Sequence, residues 1–436
     1  MKKIIALLLV FALALPMAAC GKDGNPTDTT GATTPSSPST APTEPPLKIE
    51  DLVPGEGVFT KVSYSVSDDE IVAAKDTVIG TCGDAELTNG ILQIYYWMGV
   101  YDFLNEYGAY AAYFGLDYTK PLDQQICPDT KGTWQHDFLT GAVNSWQSYQ
   151  AMALMAESSE IPMKEDLQTA LDELYESLEK SAKENKYDSV DAMLQADVGA
   201  AVDFDDYYEY MEVYYRGYSY FDHIYQSFEV TDADIEAYYT KNQETLEKNG
   251  FGKDDGKYYD VRHILIQPEG GTEDDKGNKT FTDDEWELCR QKAQSILDGW
   301  LAGEATEDAF AKLAQEKSMD DGSKANGGLY SYLDKDTNFV KEFKDWYLDE
   351  NRKAGDTGLV KSSYGYHIMY YSGDQDIWYA QCKDAIYSER SQASMEEAVK
   401  KYPMTMEYDK VVLGVVDLTP NEDKNDSAET ATKPAN

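Results

Sequence analysis

YYDVRHILI at residues 258–266 and SSYGYHIMYY at residues 362–371 are the two stretches of sequence that decide the fold. Both are rich in β-branched and aromatic residues, which predicts strands, and each carries one of the chain's 4 histidines, His263 or His367. Between them lie two helical patterns, a turn at Gly327-Gly328 and a short aromatic helix. The sequence therefore predicts the order strand, helix, helix, turn, helix, strand.

The two helical patterns have recognisable starts and faces. Thr282 and Glu285 have the spacing of a capping box at the start of the first helix, and the second helix is predicted over residues 306–317. Apolar residues at helical spacing predict the buried face of each helix. These residues are Trp286, Cys289, Ala293, Ile296 and Trp300 in the first helix and Phe310, Leu313 and Ala314 in the second.

Further motifs lie between the second helix and the closing strand. Ser318-Met319-Asp320 precedes Asn326-Gly327-Gly328-Leu329, and GDTGLV at residues 355–360 leads into the second histidine stretch. In this order the motifs resemble the parvulin-type peptidyl-prolyl cis–trans isomerase domain. The resemblance implies an α+β fold in which a small antiparallel sheet with surrounding helices, residues 258–374, is inserted in a mainly α-helical chaperone domain.

The resemblance also implies which residues form the active site. It assigns four catalytic residues, His263, Asp320, Ser362 and His367, and three residues that line a socket for the prolyl ring, Leu329, Phe339 and Phe343. Phe339 and Phe343 are expected to share one helix face, since they are four residues apart. In the family pattern Gly-Gly-x-Leu-Gly, we align Leu329 with the leucine. This chain then has Tyr330 in place of the final glycine, and Gly328 at the variable position x. No metal and no cofactor are implied.

Other functions are compatible with parts of this pattern. Tyr330 and Phe339 leave open a non-enzymatic chaperone in which the parvulin fold only binds clients. Two histidines and Asp320 have the composition of a metal site, but the histidines lie in apolar strands that offer no further ligand. Phosphopeptide specificity is disfavoured because the loop at residues 270–275 is acidic where phosphate binding needs arginine. A solute-binding lipoprotein would need a repeated βα pattern, which the sequence lacks.

The N-terminus has the pattern of a secretory signal. Met1-Lys2-Lys3 precedes an apolar run at residues 4–15, which is too short to span a bilayer, and two alanines precede Cys20. This segment resembles a bacterial lipobox, which implies removal of residues 1–19 and acylation of Cys20, with an ordinary signal peptide as the alternative. Residues 20–50 are rich in Thr, Ser, Pro and Gly, which predicts a disordered tether.

The flanks of the central domain resemble the chaperone segments of PrsA-type and SurA-type foldases. Their predicted parts are a helical segment at residues 51–257, a returning helix and strand at residues 375–418, and a disordered tail at residues 419–436. Within the first part, residues 76–83 predict a strand, residues 84–89 a helix start, and residues 163–186 a single helix. Tyrosines are dense at residues 200–225, where they are predicted to pack between helices or, where exposed, to contact clients.

Composition limits the partners. The formal charge of −42 argues against nucleic acid, which binds basic surfaces, and suits either solubility or attraction of cationic unfolded chains. The resemblance implies unfolded exported polypeptides as clients and a lipid anchor at Cys20 in the bacterial cell membrane, outside the cytoplasm. The remaining cysteines, Cys82, Cys127, Cys289 and Cys382, show no metal-binding spacing, and their pairing stays open. The sequence does not determine the oligomeric state.

Overall fold

The computed structural model describes residues 63–117, 120–128, 132–273 and 279–414. The signal segment, Cys20, the tether and the C-terminal tail lie outside these ranges. Clustering of backbone contacts divides the described residues into two compact units. One contains the residues up to Ser227 and those from Ser391 onward, and the other runs from Phe228 to Arg390.

The first unit is mainly helical. The side chains of Thr88, Thr133 and Asp203 cap helix starts by accepting a hydrogen bond from a backbone amide of the first turn. Its helices are α1 Asp68–Ala74, α2 Asn89–Tyr107, α3 Trp134–Ser158, α4 Glu165–Asp172, α5 Leu174–Glu184, α6 Val190–Val198 and α7 Phe204–Gln226, with 3-10 turns at Gly108–Phe114, Leu122–Gln124 and Tyr408–Lys410.

Strands from distant parts of the sequence pair in the first unit. The strands are β1 Ser63–Val66, β2 Val78–Cys82, β3 Ala85–Thr88, β10 Met404–Met406 and β11 Val412–Gly414. β2 pairs antiparallel with β3 and β10, and β1 pairs parallel with β11. The expectation that residues 84–89 start a helix is wrong, because Gly83 turns the chain at φ +60° and β3 forms before α2 begins.

The core of the first unit follows the predicted apolar faces. Leu167, Leu171, Leu174 and Leu178 are all buried, although residues 163–186 form two helices, α4 and α5, joined at Glu173, and not one. Four tyrosines of α7, Tyr207, Tyr210, Tyr215 and Tyr220, are buried in the same core. Most of the dense tyrosine segment therefore packs between helices, as the sequence analysis expected.

The second unit contains a four-stranded sheet in the order β7-β4-β9-β8, antiparallel throughout. Its strands are β4 Lys257–Ile266, β7 Leu329–Leu333, β8 Thr357–Ser362 and β9 Gly365–Asp376, and β5 Thr272–Glu273 pairs with β6 Lys279–Thr280 in a separate ribbon. The predicted α+β class and small antiparallel sheet are confirmed. The stretch at residues 362–371 is not one strand, because the chain turns between Ser362 and Gly365.

Helices cover both faces of this sheet. These are α9 Asp283–Leu301, α10 Glu307–Lys317 and α11 Lys341–Tyr347, with a 3-10 turn at Lys324–Asn326. Two further helices, α8 Asp232–Lys248 and α12 Ile377–Lys401, pack on each other. Ile264 and Ile368 pack against α9 and α10 on one face. Val261 and Met369 pack against Phe343 of α11 on the other face. Alternate residues of each strand therefore belong to different cores.

The compact second unit begins at Phe228, whereas the sequence placed the domain boundary at residue 258. Ile235 and Tyr239 of α8 pack on Trp378 and Cys382 of α12, which ties α8 to this unit. Cys82, Cys127, Cys289 and Cys382 are all buried, and within the described ranges they form no disulfide with one another. Within the described ranges, no helix is long and apolar enough to cross a membrane.

The turn at Gly327-Gly328 brings two backbone segments unusually close. Gly328 has φ +74°, and a Cβ at this position would overlap the carbonyl oxygen of His263. The Gly328 oxygen in turn accepts a hydrogen bond of 2.8 Å from the His263 amide. Glycine is therefore required here for both its conformation and its size.

We expect Gly328→Ala to destabilise the second unit more than Gly250→Ala does. Gly250 has a similar φ of +81°, but a Cβ there meets no described atom within 4 Å. The control should cost about 1–2 kcal/mol from backbone strain alone, and Gly328→Ala about 1–3 kcal/mol more from the clash. Native-state hydrogen exchange of the β4 amides measures both. Equal losses would show that the β4–β7 contact is loose.

Candidate active site

Two neighbouring strands place the histidines on the same face of the sheet. His263 on β4 is opposite Met369 of β9, and His367 on β9 is opposite Leu265 of β4. The two rings are therefore diagonal neighbours, with centroids 5.3 Å apart and an interplanar angle of 26°. Both side chains are buried, with 3% and 5% of their surface exposed. The sheet register thus brings together two residues 104 positions apart.

A continuous row of hydrogen bonds passes through both imidazoles. The Nδ1 atoms of His263 and His367 are 3.1 Å apart. His263 Nε2 is 2.9 Å from Asp320 Oδ2, and His367 Nε2 is 2.7 Å from Ser362 Oγ. The four residues that the family resemblance assigned to catalysis therefore form one row, in the order Asp320, His263, His367, Ser362.

The segment after α10 fixes Asp320 beside the sheet. The Leu265 amide donates to Ser318 Oγ at 3.2 Å, and the Met319 amide donates to the Leu265 carbonyl at 2.9 Å. Ser323, whose hydroxyl is 3.2 Å from His263 Nε2, also donates to Asp320. The sequence analysis did not identify Ser323, since a serine three residues after an aspartate carries no motif by itself.

The donors and acceptors determine where the protons lie. The hydrogen bond from His263 is the main cause that holds the pKa of Asp320 well below its usual range, so Asp320 is ionised and only accepts. For two neutral imidazoles, His263 then carries its proton on Nε2 and accepts at Nδ1 from the Nδ1–H of His367. In that arrangement His367 Nε2 accepts from the Ser362 hydroxyl, whose oxygen accepts from the Tyr364 amide at 3.1 Å.

Burial keeps His367 neutral. Desolvation is the largest cause that lowers the pKa of His367 to about 4; a positive charge on His263 would act in the same direction, and Asp320 opposes the shift. Every ring nitrogen of the two histidines already has a hydrogen-bond partner. The described residues contain no group of three or more His, Cys, Asp or Glu side chains suited to a metal ion.

Aromatic rings lie directly against the two imidazoles. Phe343 of α11 is 2% exposed, and its ring is 5.2 Å from that of His263 and 5.4 Å from that of His367. Phe339 packs on Phe343 with ring centroids 5.0 Å apart. Phe339 is not on the same helix, however, because α11 begins at Lys341. The loop before α11, and not an i,i+4 spacing, brings the two rings together.

The strand register corrects the assignment of Leu329. Leu329 is opposite Arg262, whose side chain reaches Glu307 of α10, whereas Tyr330 is opposite Val261 on the histidine face. Because successive residues of a strand point to opposite faces, Tyr330 and not Leu329 faces the socket. The pattern Gly-Gly-x-Leu-Gly then fits Gly327-Gly328-Leu329-Tyr330-Ser331, which uses both glycines. The sequence alignment of this motif was wrong by one residue.

The domain that contains this site is similar to known proteins. The family model described as "PPIC-type PPIASE domain" matches residues 245–373. A Chaperone SurA of Pseudoalteromonas atlantica is 35% identical over 109 residues, which cover 25% of this chain and 21% of the relative. A Foldase protein PrsA of Halalkalibacterium halodurans is 26% identical over 175 residues, 38% of this chain and 40% of the relative.

Among solved structures, the crystal structure of PrsA from Bacillus subtilis is 21% identical and covers 63% of this chain and 90% of its own, with a TM-score of 0.25. That score is too low to support an argument about the whole fold. The first relatives named are matched over less than half of their length. Residues 245–373 are a domain of the PPIC-type, or parvulin-type, peptidyl-prolyl isomerase family. The PrsA-like recognition drawn from the sequence is confirmed.

We expect the His367 imidazole to titrate near pH 4. A histidine whose pKa is lowered by folding stabilises the fold fully above its unfolded value of 6.5, and this contribution is lost as the pH falls toward about 4. The second unit should therefore lose stability across this range, and His367→Asn should remove that part of the loss. Proton–carbon NMR of the ring measures the midpoint, with His136→Gln and His223→Gln to assign signals. A midpoint near 6.5 would contradict a buried neutral ring.

Proposed function

We propose that the chain is a peptidyl-prolyl cis–trans isomerase that assists the folding of client polypeptides. The observation that carries this proposal is the contact of one buried aromatic ring, Phe343, with both imidazoles. We propose that this ring forms the base of an apolar socket for a prolyl ring, next to a hydrogen-bonded floor. Such a site offers shape and polarity to a substrate without a nucleophile.

The chemistry of the reaction fits this environment. Rotation about an X-Pro bond disrupts amide resonance, which causes a barrier of about 18–20 kcal/mol, and no covalent bond is broken. Catalysis requires that the site binds the twisted amide better than either planar form. The planar amide is the more dipolar form, so a dry aromatic socket destabilises it relative to the twisted one.

The network supports this selectivity by holding the floor in one protonation state. A protonated imidazole would bring a charge and its water into the socket. Asp320 and Ser362 are the two ends of the row of hydrogen bonds. Neither histidine therefore has a ring nitrogen without a hydrogen-bond partner. We propose that the four residues act by positioning a fixed dipolar floor, to which a reacting amide can orient without solvent rearrangement.

We infer that the clients are unfolded or partly folded exported polypeptides that contain X-Pro bonds. X-Pro isomerisation takes tens to hundreds of seconds, which limits many folding reactions. The net charge of −42 supports attraction of cationic unfolded chains. Tyr110 and Tyr113 of the first unit are 70% and 85% exposed, and they supply aromatic surface for such chains. The names chaperone and foldase, carried by relatives, support the same role.

A binding-only chaperone is the second candidate, and one observation favours it. Phe343 is covered by Phe339, and Tyr330 packs on Phe339 with ring centroids 4.9 Å apart. A prolyl ring reaches Phe343 only when these covering rings move. If they stay in place, the domain would hold clients without catalysing rotation.

We expect the full chain to catalyse cis/trans exchange in short unphosphorylated Ala-Pro peptides, measured by NMR exchange spectroscopy. Phe343→Ala should reduce the catalysed rate more than tenfold, since truncating a buried phenylalanine costs about 3–5 kcal/mol of packing. Phe339→Ala tests the socket without emptying the core, because Phe339 is only half-buried. Leu288→Ala, on an exposed position of α9, should leave the rate unchanged.

The two candidates predict different results for the wild-type chain. Catalysed exchange that is lost in both phenylalanine variants supports the isomerase. A folded wild type that suppresses client aggregation but catalyses no exchange would refute the isomerase and favour the binding-only chaperone.

We further propose that the chain is exported and held at the bacterial membrane surface by a lipid on Cys20. The basic start, the short apolar run and the small residues before Cys20 support this assignment. A tether of polar residues would then separate the folded units from the bilayer. These residues lie outside the described ranges, so the proposal depends on the sequence alone.

Acylation of Cys20 predicts a specific loss. Cys20→Ala should abolish incorporation of labelled palmitate and release the protein from the membrane fraction, whereas Ser37→Ala in the tether should change neither. The assay is metabolic labelling followed by membrane fractionation of a bacterial host that processes lipoproteins. A wild-type protein that is secreted without label would indicate an ordinary signal peptide.

A further inference from the structure

Tyr330 touches both the socket and the hydrogen-bonded row. Its ring is 4.9 Å from that of Phe339 and 5.5 Å from that of His263. Its hydroxyl donates to Asp320 Oδ2 at 3.0 Å. Burial and the charge of Asp320 raise the pKa of Tyr330, so the hydroxyl stays protonated and acts as a donor. Tyr330 therefore joins Phe339 of the socket to Asp320 of the row.

Regular pairing with Val261 places Tyr330 on the face of the histidines, and a β-bulge follows it on β7. Leu333 is opposite Tyr259 and Tyr330 is opposite Val261, so three steps along β7 match two along β4. The extra residue puts Tyr330 and Leu333 on the same face, where regular alternation would separate them. Tyr332 absorbs the distortion at φ +56°, and its amide donates to Asp260 Oδ1 at 3.0 Å.

Three donors from different segments converge on one oxygen of Asp320. His263 comes from β4, Ser323 from the loop after α10, and Tyr330 from β7. All three reach Oδ2, and no described residue donates to Oδ1. The side chain of Asp320 is 23% exposed, so it is not held by burial alone. The donors therefore determine its orientation.

We propose that Tyr330 is a positioning residue for the isomerase reaction, whose hydroxyl holds the Asp320 carboxylate so that Oδ2 faces His263. This inference rests on the proposed isomerase function. Of the three donors, Tyr330 is the one whose ring packs on Phe339 in the socket wall, so it links the socket wall to the floor. A leucine at this position, as in the family pattern, would supply the wall without the link.

Loss of the hydroxyl should affect Asp320 first. The carboxylate would keep donors from His263 and Ser323 but lose the one on the socket side. The titratable groups that face Asp320 are His263, Tyr330 and, through a longer-range electrostatic interaction, His367. Among the described residues, no lysine or arginine side chain faces Asp320 and could replace the lost donor. The carboxylate would then sample other rotamers, and the proton on His263 Nε2 would lose its fixed acceptor.

The test compares Tyr330→Phe and Tyr330→Leu with the full-length wild type and with Tyr366→Phe. Tyr366 is on β9 but its ring packs on Trp286, on the face away from the histidines. Both Tyr330 variants should lower kcat for Ala-Pro exchange about tenfold with KM little changed, the effect of one hydrogen bond to a charged group. In an Asp320→Asn background Tyr330→Phe should have no further effect.

Carboxyl carbon-13 NMR of Asp320 at neutral pH gives a second readout that does not depend on activity. Its resonance should shift in Tyr330→Phe and stay in place in Tyr366→Phe. If the Asp320 resonance does not shift in Tyr330→Phe, or if it shifts while kcat is unchanged, the positioning role of Tyr330 is wrong. Neither result would contradict the proposed isomerase activity. A wild type without exchange would overturn the isomerase itself, and the carbon-13 shift would still report whether the hydroxyl contacts Asp320.

Discussion

Two imidazole nitrogens that face each other at 3.1 Å share one proton, and this constraint shapes the second unit. Two neutral imidazoles form this hydrogen bond only if one Nδ1 atom donates and the other accepts. The tautomer of each ring therefore depends on whether the partner of its Nε2 atom is an acceptor or a donor. Asp320 and Ser362 supply an acceptor at one end and a donor at the other. The register of β4 and β9 sets the spacing of the rings, and burial excludes the water that would otherwise relax the arrangement.

The backbone around Gly328 connects this row to the socket. His263 donates its amide to the Gly328 carbonyl, and Arg262, the next residue on β4, donates to the carbonyls of Asn326 and Gly327 from the opposite face at 3.1 Å. Glu307 accepts from Arg262 at 2.9 Å and so ties α10 to the same turn. Strand β7 leaves this turn in register with β4, which directs Tyr330 toward the face of the histidines. Floor and socket wall are therefore parts of one packed segment.

The sequence predicted the features that have local signals. The first histidine strand, the capping box at Thr282 and three residues of the predicted buried face of α9, Cys289, Ala293 and Trp300, follow from residue type and spacing and are present. The sequence did not predict strands β7 and β8. β7 is short and distorted at Tyr332, and the residues of β8 were assigned to the closing motif of the family instead of to a strand. The faces of Leu329 and Tyr330 depend on the register of β7 against β4, and the role of Ser323 depends on how the loop after α10 folds back to β4. Both are tertiary properties that local pattern does not contain.

The most direct test of this account is the protonation pattern of the two rings. Long-range proton–nitrogen correlation NMR of nitrogen-15 histidine at neutral pH distinguishes the two neutral tautomers and the cation. The account predicts a neutral His263 protonated on Nε2 and a neutral His367 protonated on Nδ1, with one proton between the facing nitrogens. A cationic ring, or the reverse pair of tautomers, would contradict it and would mean that Asp320 does not orient the row.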